Sequence, residues 1–481
     1  MLICKKGLKM SDCYLAVDIG ASSGRHMIMS LEHGKLKLKE IYRFENGMSK
    51  KNGHLVWNTK KLFTEIVTGM HKCAEAGMIP VSMSIDTWAV DYALTDAEDK
   101  PVGPVYAYRD SRTEGMDKKV YEIISEDELY LRTGIQKQIF NTIYQLTADR
   151  INEPERLEAA SAFLMLPDYF NYLLTGVKKS EYTNATSTGL VNPGTYDWDR
   201  KLIESLGLPQ DIFLPLNMPG TAVGKLKKEI ETKVGFNCEV VMCASHDTAS
   251  AVMAVPAKEN DSVYISSGTW SLIGTETDSA IINGDSCKYN FTNEGGYDKR
   301  FRFLKNIMGL WMIQSVKKEL TEDISYAEIA ELAEEYGDIE ARVDVNSQRF
   351  FAPKNMSTAI RQYCINSGQQ VPFKLGQLAA VIYKSLAECY VETFEEIEKT
   401  TGVSHDALYI VGGGSNVDFL NREIAKLLKK PVYAGPAEAT AIGNALAQMI
   451  KAGRFKNLAE ARECVYRSFA VKKYDYEGEK P

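Results

Sequence analysis

Apolar residues run unbroken from Tyr14 to Val17 and meet a carboxylate at Asp18, a pattern that predicts a buried strand over residues 14–18. A second extended stretch covers residues 25–31. After the turn signal Glu32-His33-Gly34, Leu36 and Leu38 alternate with Lys35, Lys37 and Lys39, the period of a half-buried strand. The segment between the first two strands, residues 19–24, therefore joins strand to strand rather than strand to helix.

The same pattern returns half a chain later. Residues 263–269 read as a strand running into a Ser/Gly turn, and residues 270–274 as the strand that follows it. The triplets Ser22-Ser23-Gly24 and Ser266-Ser267-Gly268 are too far apart for a solenoid repeat and suit a duplicated domain. Pro256 and the polar Lys258-Glu259-Asn260-Asp261 interrupt two apolar stretches, so a boundary is expected within 251–261, dividing the chain into 1–255 and 256–481. Further on, Leu375, Leu378, Ile382, Leu386, Tyr390, Phe394 and Ile397 form one helical stripe ending near Gly402. A short strand at 408–411 leads into Gly412-Gly413-Gly414, and helices are expected around 419–428 and 438–450. The fold class is α/β, with ligand loops at strand ends.

Composition narrows the partners. The net charge of −7 argues against nucleic acid, which needs a basic face. No apolar run is long enough for a membrane span. The first residues lack the apolar core and cleavage site of a secretory signal, and Met10 is a possible alternative start. Nine cysteines, an odd number without a CxxC pair, favour free thiols in a reducing cytoplasm over a disulfide framework or a zinc site. Both a monomer and a homodimer are compatible with the sequence.

Candidate chemistry begins at Asp18. The small residues of Gly20-Ala21-Ser22-Ser23-Gly24, with Arg25 behind them, let backbone N–H groups and hydroxyls converge on an anion. Asp18 at the strand end could hold a hydrated magnesium ion; the plain alternative is a hairpin turn. The same residues fit the G-x-S-x-G elbow of serine hydrolases, but that elbow needs several strands before it and a helix after it. Neither a Walker A sequence nor an H-E-x-x-H helix occurs. In Ala244-Ser245-His246-Asp247-Thr248-Ala249-Ser250, Asp247 could accept a proton from an acceptor hydroxyl. Its alternative is a carboxylate stabilising a helix N-terminus.

Two strand–loop–strand turns followed by the Gly-rich 411–416 loop resemble the actin-like ATPase superfamily. Over nearly its whole length the chain is similar to the FGGY family of carbohydrate kinases, and within it to the branch acting on L-rhamnulose. The matching segments include 17–25, Ser84-Ile85-Asp86-Thr87-Trp88, 107–112, 165–170, Glu181-Tyr182-Thr183-Asn184-Ala185-Thr186, 244–251, 266–271, Asn293-Glu294-Gly295-Gly296, 304–311 and 411–414. The resemblance implies two lobes of duplicated ribonuclease-H-like (actin-like ATPase) fold around an active-site cleft. The first lobe would bind mostly the sugar and the second mostly the nucleotide. It implies ATP contacts at Ala21, Ser22, Ser23, Gly24, Arg25, Thr269, Gln314 and Gly412. Sugar contacts are implied at Ala89, His246, Asp247, Thr248 and Asn306, with Asp247 the proton acceptor. The implied reaction is transfer of phosphate from ATP to the C1 hydroxyl of L-rhamnulose. Another deoxyketose such as L-fuculose, or a non-catalytic sugar sensor, are the other readings. Ala89 stands where the family commonly has glycine, and with Trp88 and Met308 it is expected to wall the sugar's methyl group. Trp88 and Trp311 can equally be core. Arg109 and Asp110 can be a surface ion pair, His246 an orienting group, and Asn306 the cap of a following helix.

Overall fold

Strand Cys13–Ile19 pairs antiparallel with Ser23–Glu32, which pairs antiparallel with Lys35–Glu45; on its other side it runs parallel to Ser82–Thr87. Glu239–Val241 then joins parallel to Ser82–Thr87, and Ala222–Lys225 closes the edge of this six-stranded sheet. The structure is a computed structural model that describes residues 12–257 and 262–476. Met10 and the N-terminal stretch, with the polar run 258–261 of the expected boundary, lie outside the described residues.

The second sheet repeats the order. Val263–Ser267 pairs antiparallel with Trp270–Thr277, which pairs antiparallel with Phe301–Met308. On the other side Val263–Ser267 runs parallel to Leu408–Val411, and that strand runs parallel to Val432–Ala434. Three antiparallel strands followed by two parallel ones, twice over, is the duplicated architecture that the paired triplets implied. Thr292–Gly295 and Lys472–Tyr474 extend this sheet to seven strands. The predicted stripe forms helix Leu375–Thr401, which ends on Gly402 in the left-handed conformation that glycine adopts without strain.

Side-chain parity decides what each strand faces. Along Cys13–Ile19, residues Cys13, Leu15, Val17 and Ile19 enter the core of the first sheet with helix Thr59–Glu75. Tyr14 and Ala16 point the other way, into a core shared by both sheets. That shared core is built on two helices that cross, Asp247–Met253 and Ala439–Lys451. Gly443 makes the crossing possible: a Cβ there would lie 1.7 Å from the Ser250 carbonyl oxygen. Gly443→Ala must push the helices apart, at a cost of about 3 kcal/mol, the upper end for overpacking. A melting curve should show Tm lower by several degrees; an unchanged Tm would mean that the crossing is not tight.

Between Ser82–Thr87 and Ala222–Lys225 lies a large insertion with its own apolar core, including Tyr92, Ile143, Phe163, Trp198 and Phe213. Nothing in the periodicity separated it from the lobe that carries it. Every cysteine among the described residues is a free thiol. No helix among the described residues is long and apolar enough to cross a membrane.

Candidate active site

Register places three charged residues abreast. Asp18 sits opposite Arg25 on one side and opposite Asp86 on the other. All three share the parity of Tyr14 and Ala16, so they face the second lobe rather than the first lobe's core. Arg25 donates from Nε to Asp18 Oδ2 at 2.8 Å and reaches Glu438 Oε2 at 2.5 Å, across the lobes. Burial works against its charge, but Asp18 and Glu438 outweigh that and hold the guanidinium firmly protonated. Asp86 is buried; its Oδ2 accepts from Asn444 at 2.5 Å, whereas its Oδ1 has no hydrogen-bond partner. Burial first, then the charge of Asp18, push the Asp86 carboxyl well above its usual range.

Asp247 begins the first crossing helix, and the strand end at Thr87 fixes the loop before it: Thr87 N–H donates to the Ser245 carbonyl at 3.0 Å. Buried Glu181 secures the same loop, accepting from Ser245 Oγ at 2.6 Å and from Thr183 and Asn184. The Asp247 side chain keeps 33% of its surface open to the cleft. Depth within the cleft raises its pKa and the neighbouring charge of Asp18 adds to this, with His246 opposing. Thr248, behind it, donates its N–H to Asp247 Oδ1 at 2.6 Å. His246 Nε2 stands 3.4 Å from Asp247 Oδ1, and its Nδ1 stands 3.1 Å from Glu294 Oε2 of the second lobe. Arg302, fully buried, donates to the same Glu294 oxygen at 3.0 Å. Burial would raise Glu294, but Arg302 and His246 bring it down to about 2.

Beside this group the chain turns sharply. Ala89 is half-buried, and Val90 holds φ +66°, a left-handed conformation that costs a β-branched residue roughly 1–3 kcal/mol. The insertion sustains it: Thr142 Oγ1 donates to the Val90 carbonyl at 2.7 Å, Gln145 Nε2 at 3.2 Å, and Val90 N–H reaches Ser187 Oγ at 3.3 Å. Buried Asp91 accepts from the indoles of Trp57 at 2.6 Å and Trp88 at 2.8 Å. Trp88 is thus core, its ring tilted against that of Trp57 with centroids 4.2 Å apart. Met308 is buried too, so of the expected methyl wall only Ala89 is partly open.

The Ser/Gly turns occupy strand ends. In the first, Gly20 N–H bonds the Ser23 carbonyl at 2.8 Å, Ser22 is exposed, and Ala21 and Ser23 are half-buried. In the second, Gly268 is exposed and Thr269 Oγ1 donates to Gln314 Oε1 at 3.2 Å. The third lies against the second because their strands are neighbours. Gly412 has φ +83°, and a Cβ there would meet the Ser267 carbonyl oxygen at 2.7 Å, so only glycine fits. Asn306 lies within strand Phe301–Met308, not at a helix cap, and donates to Gln136 Oε1 of the insertion at 3.0 Å.

Two domains of one family match this arrangement: the N-terminal domain of the FGGY family of carbohydrate kinases over residues 13–254, and its C-terminal domain over 263–452. The chain belongs to the FGGY family of carbohydrate kinases. Among the relatives of this FGGY kinase, the rhamnulokinase of Halalkalibacterium halodurans is 49% identical over 460 residues, covering 96% of this chain and 98% of the relative. That of Bacillus subtilis is 42% identical over 460 residues, covering 95% and 94%. The crystal structure of gluconate kinase from Lactobacillus acidophilus superposes with a TM-score of 0.77 at 15% identity, over 97% of this chain and 94% of that one. Plasmodium falciparum glycerol kinase with ADP gives 0.75 at 14%, over 96% and 94%. These structures share the two-lobed actin-like fold.

Arg109 and Asp110 of this kinase correct an expectation, for they are not paired with each other. Asp110 is buried, accepting from His54 Nδ1 at 2.9 Å and Leu55 N–H at 2.6 Å. Arg109 lies over the rings of Tyr108, Trp311 and Phe351, reaching from the first lobe to the second. Asp86, Glu181 and Glu294 each lie in a segment that carries the resemblance, but no pattern in the sequence singles them out. Gln136 and Glu438 gave no signal, because their partners Asn306 and Arg25 are distant in sequence, and Arg302 gave none, because its bond to Glu294 depends on an antiparallel register.

Proposed function

We propose that this kinase transfers the γ-phosphoryl group of ATP to the C1 hydroxyl of L-rhamnulose, giving L-rhamnulose 1-phosphate. The observation that carries the reading is the cleft-facing carboxylate Asp247 beside the row Arg25–Asp18–Asp86, in a chain matched nearly end to end by rhamnulokinases. The division is placed at residues 255 and 256, with sugar mostly against the first part and nucleotide mostly against the second.

Phosphoryl transfer passes through a loosely bonded transition state, so the protein's work is alignment, charge neutralisation and removal of one proton. Asp247 accepts the proton of the C1 hydroxyl; its elevated pKa suits a base working near neutrality. His246, Thr248, Asn306 and Ala89 contact the sugar. The loop Ala21-Ser22-Ser23-Gly24 with Arg25 grips the terminal phosphates, while Thr269, Gln314 and Gly412 hold the nucleotide from the other lobe. Among the described residues no group of three or more His, Cys, Asp or Glu side chains is placed to hold a metal alone. Asp18 and the unpartnered buried Oδ1 of Asp86 nevertheless form a hard-oxygen pair that fits magnesium, which takes one or two carboxylates and completes its shell with water and phosphate. When bound, the ion neutralises charge developing on the phosphate oxygens.

A coupled ADP-release assay over L-rhamnulose, L-fuculose, L-fructose, D-xylulose, L-ribulose and glycerol tests the substrate. L-rhamnulose should give the highest kcat/KM. L-fructose, which adds only a hydroxyl at the methyl end, should fall by about 10²-fold at most. L-fuculose should fall further, because a site built from hydrogen bonds reads hydroxyl handedness. Another ketose ranking first would leave the kinase in place and remove the rhamnulose assignment; Ala89→Gly would then be the partner variant.

A further inference from the structure

We propose that Glu181 is a positioning residue for phosphoryl transfer: its carboxylate ties the residue before His246 to the insertion and so sets where Asp247 stands in the cleft. The proposal rests on the reading of Asp247 as the proton acceptor. Glu181 is fully buried, so it acts through the chain rather than on a ligand. It ends the short strand Ser180–Glu181 of the insertion, 64 residues before Ser245. Its own N–H donates to Asp168 Oδ2 at 3.1 Å, which braces it against helix Leu166–Thr175.

Five donors converge on the carboxylate. Oε1 accepts the Thr183 N–H at 2.7 Å. Oε2 accepts Thr183 Oγ1 at 2.7 Å, the Asn184 N–H at 3.0 Å, the Ser245 N–H at 3.2 Å and Ser245 Oγ at 2.6 Å. An amide cannot take this place, for whichever way it turns, its NH₂ meets a donor. The Ser245 carbonyl is held as well, by the Thr87 N–H at 3.0 Å and Asn184 Nδ2 at 3.3 Å. Ser245 is thus fixed at its N–H, its hydroxyl and its carbonyl, two residues short of Asp247. His246, at the cap position of helix Asp247–Met253, makes no capping bond with its side chain. The direction in which Asp247 leaves the loop is therefore inherited from Ser245. With Glu181 altered, the buried Ser245 donors lose a well-placed acceptor and the loop shifts to find others. A shift of about 1 Å in a reacting group costs about 10²-fold in rate.

Kinetics of Glu181→Gln, Asp247→Asn and the double variant test this in the full-length enzyme, at saturating L-rhamnulose. Glu181→Gln should lower kcat about 10- to 100-fold, with KM for ATP within about twofold. In the Asp247→Asn background the same substitution should cost no more than about twofold, because the position of an absent base no longer matters. Residues that act through one another are non-additive in this way, whereas independent losses multiply. A further loss of 10-fold or more in the double variant would therefore overturn the proposal and leave Glu181 a merely structural residue. Normal kcat in Glu181→Gln beside an inactive Asp247→Asn would overturn it while sparing the base. An active Asp247→Asn would remove the base reading, and the proposal with it. Should Glu181→Gln fail to fold, Ser245→Ala takes its place in the cycle, since it deletes only the hydroxyl bond to Oε2. Ser245→Ala should lower kcat about 3- to 10-fold, the scale of one neutral hydrogen bond, and this loss too should vanish beside Asp247→Asn. An unchanged kcat, or a loss that persists there, would overturn the proposal.

Discussion

Asp247→Asn should lower kcat by about 10²- to 10⁴-fold, the usual worth of a positioned proton acceptor. Sugar binding should survive, because the amide keeps the shape of the carboxylate and can still accept the Thr248 N–H bond at Oδ1. In the parent enzyme the same residue should set the acid side of the pH profile. Burial in the cleft and the charge of Asp18 raise its pKa, so it loses its negative charge at a higher pH than an ordinary aspartate as the solution is acidified. The ascending limb of kcat should therefore lie above the usual carboxylate range. Turnover by Asp247→Asn within threefold of the parent would take the residue out of the mechanism.

Asp18→Ala should be comparably severe, roughly 10³-fold, the scale of losing a main charge-stabilising group from a transition state. The fold should persist. Asp18 lies at the cleft end of its strand, and Arg25 retains Glu438 as an ionic partner when Asp18 is gone. Magnesium titrations of parent and variant separate the proposed metal role from a structural one. The parent should saturate with magnesium, and the variant should need far more of it or never recover. Full parental activity in excess chelator would sink the metal role.

Strand and loop order was legible in the sequence because it rests on short-range patterns: an apolar run ending in Asp18, period two at Lys35–Lys39, and two Ser/Gly turns in like positions. The long helix was legible for the same reason, down to Gly402. Pairings that need register or topology were not. Asp86 was visible as a letter, but that it stands beside Asp18 depends on two parallel strands aligning residue for residue. Arg302 reaches His246 only because an inner strand of one sheet packs on a loop of the other. The strain at Val90 was equally hidden: nothing in a Trp-Ala-Val-Asp string announces a left-handed valine. Its support comes from Thr142, Gln145 and Ser187, far along the chain.

That strained turn is anchored in the insertion, whereas Asp247 and Glu438 are mounted at the crossing of the helices that join the lobes. Selection can therefore act on the two separately. Exchanges at Thr142, Gln145, Ser187 or Ala89 would reshape the proposed sugar wall without loosening the frame proposed to align the phosphate. A lineage can drift from one ketose to another through viable intermediates, each still a competent phosphotransferase.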